Sequence, residues 1–409
     1  KNLIESEAFT GRPAFSRWTE TPAWLKPIGD EAYCAGSNRL IVHRFVHQPW
    51  DEKYRPGATM GVWGTHFERT QTWWEPAKAM VKYWQRCQAL LQWGQIASSE
   101  NNPEIRSEDS SLRIRHIHRN LGKTEVFFVA NTAHSTGRAE CIFSVTGMQP
   151  ELWDPVTGNI RNLPEFKDSG STLTVPLNFE DAQSFFIVFR NKLSGKKAGK
   201  SVNFPSMKDL ASIDAPWKVT FDPAWGGPED SVVFDKPEDW ITRPEPGIKY
   251  YSGTAVYRTE FDFQSKGLVD KGSELFLDLG MVRDVARVKI NGRDLGVIWT
   301  APWNVKIPGK LLHERGNTLE VEITNTWVNR LVGDEQEPPD AEWAPAHYGP
   351  ETGTYMKEFP DWFVRNLPRP SKNRYCFTTW NYFTKNSPLS SSGLLGPVKI
   401  KIANRTNHY

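Results

Sequence analysis

The sequence has no run of apolar residues long enough to cross a bilayer, so nothing in it asks for a membrane. It has little charge excess: 50 Lys and Arg stand against 48 Asp and Glu, a net +2. Without a basic stripe there is no electrostatic footprint for nucleic acid or an anionic surface. Cysteine is scarce. The four in 409 residues, Cys34, Cys87, Cys141 and Cys376, form no CxxC or CxxH pair. That removes the common zinc frameworks and neither requires nor excludes one disulfide. Dinucleotide fingerprints and phosphate-cradling glycine loops are absent, as is the Gly-x-Ser-x-Gly turn of a serine hydrolase.

Aromatic residues are abundant, at 12% with 18 Trp, in a chain that is 38% hydrophobic. Large aromatics dominate cores, and most of these Trp read as core. The remainder suit a sugar, which presents an apolar face and a rim of hydroxyls.

Two stretches near the start concentrate candidate chemistry. Ile4-Glu5-Ser6-Glu7-Ala8-Phe9-Thr10 is a short strand pattern ending on carboxylates. Residues 36–74 hold Leu40-Ile41-Val42, a continuous apolar core expected of a strand buried on both faces. They then run through His43, His47-Gln48-Pro49-Trp50, Trp63-Gly64-Thr65-His66, Glu68-Arg69 and Trp73-Trp74. Thr21-Pro22 predicts a helix start, cap then first position, with a helix over 22–35. Pro76 opens a second helix whose one face carries Met80, Trp84, Cys87 and Leu91. The order strand, helix, strand, long loop, helix is two βα units, a quarter of an eightfold barrel. The chain opens on Lys1-Asn2-Leu3 and enters a strand at once. It reads as the C-terminal part of a longer protein whose other strands precede it, so the missing signal peptide carries little weight.

From residue 112 the periodicity changes to two. Strand patterns at 112–117, 124–129, 139–145, 172–177 and 184–190 predict an antiparallel β-sandwich. Lys192 to Lys200, in Gly/Ser-rich sequence, reads as part of a linker over 192–205. A second series at 217–221, 254–263, 274–279, 285–290, 294–299, 304–307, 318–324 and 397–402 predicts a jelly roll, with Asn291-Gly292 as a hairpin turn. The expected fold is therefore mixed: a partial (β/α) barrel over 1–105, a sandwich over 106–191, and a jelly roll over 206–409 with an insertion around 330–375.

Glu7, at a strand exit, is the candidate catalytic residue, since glycoside cleavage uses paired carboxylates. A rim salt bridge is the plainer alternative, and Glu5 shares its face. Glu68 and Glu75 are weaker partners. His43, His47, Gln48, His66 and Arg69 are candidate hydrogen-bond partners for sugar hydroxyls, with Trp63, Trp73 and Trp74 as stacking surfaces. Structural roles compete for each. His43 and His47 straddle a strand end, which argues against a metal pair.

The chain resembles the C-terminal part of glycoside hydrolase family 106, the α-L-rhamnosidases. The resemblance rests on Glu5 to Thr10, Lys26 to Cys34, Gly36 to Leu40 with His43 and His47 to Trp50, Gly57, Gly61 and Gly64, Gln71 to Trp74, Arg86 to Gln88, Glu151 to Pro155, Asn291-Gly292 and Ser392 to Pro397. It implies an inverting hydrolase of α-L-rhamnosides in plant or microbial polysaccharides, acting outside the cytoplasm. It also implies that Glu7 activates water, that the general acid lies upstream of Lys1, and that a calcium ion is admissible. The jelly roll also resembles the sugar-binding domain of family 2 β-glycosidases. A different class remains open: a carbohydrate-binding protein using Trp299 and Trp303 of the jelly roll, with an inert barrel remnant.

Overall fold

A computed structural model describes residues 3–11, 17–98, 103–107, 109–193, 202–264, 267 and 273–404. Most of the expected linker, 194–201, and the first two residues lie outside the described ones.

The first region is a parallel β-strand pair with two helices. Strand β1 (Glu5–Ala8) pairs in parallel with β2 (Arg39–Val42), Glu7 opposite Ile41. Helix α1 (Pro22–Cys34) connects them, and the Thr21 hydroxyl caps it by accepting from the Trp24 N–H at 3.2 Å. Beyond Cys34 the chain turns at Gly36, φ +110°, which only glycine adopts without strain. A two-residue strand, β3 (Pro56–Gly57), follows in the long loop. Helix α2 (Lys78–Leu91) buries Met80, Tyr83, Trp84, Cys87 and Leu91, the face its spacing predicts. One expectation fails. Strand β2 is not buried on both faces, since Ile41 is 43% exposed. It pairs only with β1 among the described residues, which leaves one face of this small sheet without cover.

Two sheets then face each other over residues 95–192. One has the order 160–162, 148–153, 184–192, 124–131, 114–121, 95–96; the other has 167–168, 173–179, 137–143, 104–106. Phe127, Val129, Phe185, Ile187 and Phe189 point into the inter-sheet core with Cys141, Phe143 and Leu177. Their neighbours Phe128, Ala130, Phe186 and Val188 point the other way, into a core shared with Leu25, Tyr33, Met80 and Trp84 of the helices. Both faces of this sheet are covered, so its central strands read as unbroken apolar runs rather than alternating ones. Lys26 locks the joint: its ammonium reaches Asp30, the Ala182 carbonyl and the Ser184 hydroxyl, each at 2.7 Å.

The last region is again two antiparallel sheets, one of six strands and one of four, around a core that includes Trp217, Trp240, Tyr257, Leu277, Val288 and Ile400. Asn291 and Gly292, with φ of 50° and 75°, turn the hairpin from Val285–Ile290 to Arg293–Ile298. Trp299 is not available for stacking on a sugar: it is 1% exposed and meets Tyr83 edge-on. Trp303 packs partly buried against the core. The segment after Asn317–Thr324 folds over the long loop of the first region. Phe377–Thr378 pairs in parallel with β3, and Phe363 and Phe377 stack at 4.4 Å beside Trp50 and Tyr54. A small sheet of Trp343–Pro345, Thr354–Met356 and Trp380–Asn381 lies next to them.

Candidate active site

The C-terminal ends of β1 and β2 gather one chain of contacts. Glu7 is exposed and accepts a hydrogen bond from the Thr10 hydroxyl. The Thr10 carbonyl accepts from the Gly64 N–H at 2.6 Å, and the Ala8 carbonyl from the His43 N–H at 3.0 Å. Gly64, at φ +80°, lies so close to His43 that an added Cβ would fall 2.2 Å from the imidazole Nδ1. Glu7, Thr10, Gly64 and His43 therefore form a continuous rim. Glu5, the alternative carboxylate, is paired with Arg39 at 3.0 Å. Of the two, Glu7 has no cation holding it among the described ion pairs.

The other residues singled out from the sequence divide. Trp63 is 38% exposed and sits beside Gly64. His47 is exposed on the loop. Gln48 is tied back on the loop itself, its amide donating to the Ala58 carbonyl and accepting from the Ala58 N–H, both at 2.8 Å. Arg69 pins the same loop by donating to the carbonyls of Gln48 and Trp50, at 2.9 and 3.0 Å. Trp73 is 0% exposed and donates its indole N–H to the Glu20 carbonyl, so it is core and not a stacking wall. His66 is also 0% exposed, stacked on Trp18 with centroids 4.1 Å apart. As placed it cannot touch a sugar. Glu75 is exposed and paired with Lys78.

Behind this rim is a buried polar cluster that the sequence did not announce. Arg44 is 3% exposed and donates to the Thr59 hydroxyl at 2.8 Å, the Gly61 carbonyl at 3.1 Å and the His66 Nε2 at 2.8 Å. Accepting at Nε2 places the His66 proton on Nδ1, and burial followed by the Arg44 charge keeps the ring neutral. Glu20, Glu68 and Tyr382 complete the cluster, and several of its atoms, both Glu20 oxygens among them, have no hydrogen-bond partner. Burial pushes the Glu68 carboxyl up to about 7 and that of Glu20 up to about 8, against the pull of Arg44. The signal that could have found Arg44 was its place, directly after His43 at the strand exit.

A testable pH dependence follows. Folded Glu20 holds its proton far more tightly than the unfolded chain does, whose carboxyl titrates near 4.5. That stabilisation is fully present below pH 4.5 and is lost as the pH rises through about 8. Urea unfolding at pH 5 and pH 8 should show the wild type less stable at pH 8, by on the order of 2–4 kcal/mol from this group. Glu20→Gln should remove most of that slope, leaving a smaller one of the same sign from Glu68. Parallel slopes in the two proteins would refute the assignment.

Among the described residues, no three His, Cys, Asp or Glu side chains are grouped closely enough to hold a metal ion. No helix among them is long and apolar enough to cross a membrane.

Comparison with known proteins follows the same lines. A curated protein named "Putative beta-glucuronidase", from Formosa agariphila, is 39% identical over 215 residues, 51% of this chain and 17% of that protein. The structure of a rhamnosidase from Novosphingobium sp. PP1Y superposes with a TM-score of 0.81 at 23% identity, covering 98% of this chain and 48% of that one. At that identity the likeness speaks for the fold. A Ruminococcus gnavus β-glucuronidase reaches a TM-score of only 0.29 over 49% of this chain, which supports no inference. The chain thus spans less than half the length of each of these relatives. The family model described as alpha-L-rhamnosidase matches residues 1–100 and 96–167. Over residues 1–167, about two fifths of its length, the chain is similar to glycoside hydrolase family 106, the alpha-L-rhamnosidases.

Proposed function

We propose that this chain is part of an inverting α-L-rhamnosidase and supplies its water-activating base, Glu7. The observation that carries this reading is the exposed Glu7 carboxylate at the exit of a parallel strand, where barrel enzymes hold their chemistry. The Thr10 hydroxyl steadies one oxygen and leaves the other for a water molecule. In the reaction, water adds to the anomeric carbon, its proton passes to Glu7, and a carboxylic acid protonates the departing oxygen. Inversion needs the two carboxyl groups roughly 6.5–9.5 Å apart, with water between one of them and the sugar. The nearby Glu20 and Glu68 are each 1% exposed, so they are poorly placed to meet a leaving group. The acid is assigned to the rest of the parent protein.

The exposed Ile41 on β2 supports the same view, because parallel sheets are stable only when both faces are covered. Residues 1–105 would be a quarter of the catalytic barrel, 106–191 a bracing sandwich, and 206–409 a jelly roll whose insertion caps the active-site loop. The substrate would be a rhamnose-bearing oligo- or polysaccharide, met outside the cytoplasm. The name of the Formosa relative keeps a β-glucuronide as the second substrate class.

The test is a panel of aryl glycosides offered to the full-length protein, with the released sugar followed by NMR. Turnover of the α-L-rhamnoside with the β-anomer appearing first is the expected result. Turnover of the β-glucuronide alone would move the specificity, and release of the α-anomer first would exclude inversion.

A further inference from the structure

The segment that folds over the long loop brings a second aromatic ring to the edge of the Glu7 rim. Tyr348 is 60% exposed and Trp63 is 38% exposed. Their centroids lie 6.3 Å apart with the planes at 76°, so the two rings make an open right-angled corner. The corner adjoins the rim directly: Trp63 precedes Gly64, whose N–H binds the Thr10 carbonyl, and the Thr10 hydroxyl binds Glu7.

The corner is held firmly from behind. Gly61, at φ +88°, is packed under Trp380, where a Cβ would fall 2.7 Å from the ring. The Trp380 indole N–H donates to the Thr352 carbonyl at 2.6 Å, and the Thr59 N–H to the Thr379 hydroxyl at 3.0 Å. Arg17 donates to the Glu351 carbonyl. The Thr59–Thr379 bond and the Gly61–Trp380 contact join the loop before Trp63 to residues 379–380, and the Trp380 bond carries that link on to Thr352, four residues beyond Tyr348. Fixed aromatic surface lowers the ordering cost of binding, and the phenol hydroxyl adds a polar handle at its edge.

We infer that Trp63 and Tyr348 form a subsite for a second saccharide unit, beyond the one held at Glu7, stacking on one ring and meeting the edge of the other. This rests on the glycosidase reading above and deepens it: the enzyme would favour an oligosaccharide over a single sugar on a simple leaving group. The occupant is an uncharged sugar ring, since the corner presents apolar faces and a hydroxyl, with no cation contributed by either ring.

The test uses the full-length protein, an aryl α-L-rhamnoside, and the rhamnose-terminated oligosaccharide that the wild type turns over fastest. Tyr348→Ala should lower kcat/KM for the oligosaccharide roughly tenfold more than for the aryl glycoside. Tyr348→Phe, which keeps the ring, should hold the ratio within about twofold of wild type. Val364→Ser, on the same segment and 67% exposed, controls for surface changes. An unchanged ratio in Tyr348→Ala overturns the subsite. If the wild type hydrolyses neither substrate, the enzymatic reading falls and the corner is judged by binding. Saturable quenching of tryptophan fluorescence by a rhamno-oligosaccharide, lost in Tyr348→Ala, would sustain it, and no saturation would remove it.

Discussion

Glu7→Gln in the full-length protein is expected to lower kcat by roughly 10³-fold while leaving KM within a few-fold of wild type. The amide is nearly isosteric with the carboxylate and can still accept from the Thr10 hydroxyl, so the rim should hold its shape. What it loses is the ability to take a proton from water, an interaction made only as the anomeric carbon is attacked. Such a loss falls on kcat and not on ground-state binding. Azide sharpens the test, because it is a nucleophile that needs no base. In Glu7→Gln it should restore turnover, displacing the aglycone to give a glycosyl azide of inverted configuration. Glu5→Gln provides the contrast. Its carboxylate is paired with Arg39 across the strand pair, and its loss should change kcat less than about tenfold, the scale of a partly exposed ion pair. Equal effects from the two substitutions, or no azide rescue, would withdraw the role from Glu7.

The carboxylate choice shows where sequence reading stops. Period two places Glu5 and Glu7 on one face of β1 and cannot say which of them a neighbour occupies. That neighbour is Arg39, which comes alongside only through the parallel register of β2. Helix α2 was legible because its apolar spacing, Met80, Trp84, Cys87 and Leu91, is local. So was the Asn291-Gly292 hairpin, whose turn is specified by two residues. The long loop stood out in composition, but the placement of its side chains was not legible. Trp63 and Trp73 look alike in the sequence, yet one lines the rim and the other is fully buried. The difference comes from Glu20 and Tyr348, which are distant in the chain. Gln48, Arg69 and His66 are tied into the loop for one reason: a loop of this length must satisfy its own buried polar groups, and these residues contribute to that.

The largest effect on stability is expected at the joint between the helices and the sandwich. Lys26 and Asp30 have fully buried side chains on α1, 2.7 Å apart. Tyr83 of α2 donates to the second Asp30 oxygen and lies 2.9 Å from the Ser184 hydroxyl. One ammonium thus joins a helix to the strand Ser184–Lys192 through the Ala182 carbonyl and the Ser184 hydroxyl. Lys26→Met would keep the volume and remove the charge, leaving Asp30 buried beside a phenol with no cation. Breaking one side of a buried pair costs about 3–5 kcal/mol, which should lower the Tm of the transition containing α1 by roughly 10 °C. The double variant Lys26→Met/Asp30→Leu removes both charges, and it should recover much of that loss, because an apolar pair avoids the desolvation that the ion pair must offset. The comparison separates two sources of stability that the single variant confounds. If the double variant melts as low as Lys26→Met, the joint depends on the hydrogen bonds to Ala182 and Ser184 and not on charge pairing. If Lys26→Met melts within about 2 °C of wild type, α1 is held by its apolar face against Phe128 and Phe186, and the buried pair contributes orientation in place of stability.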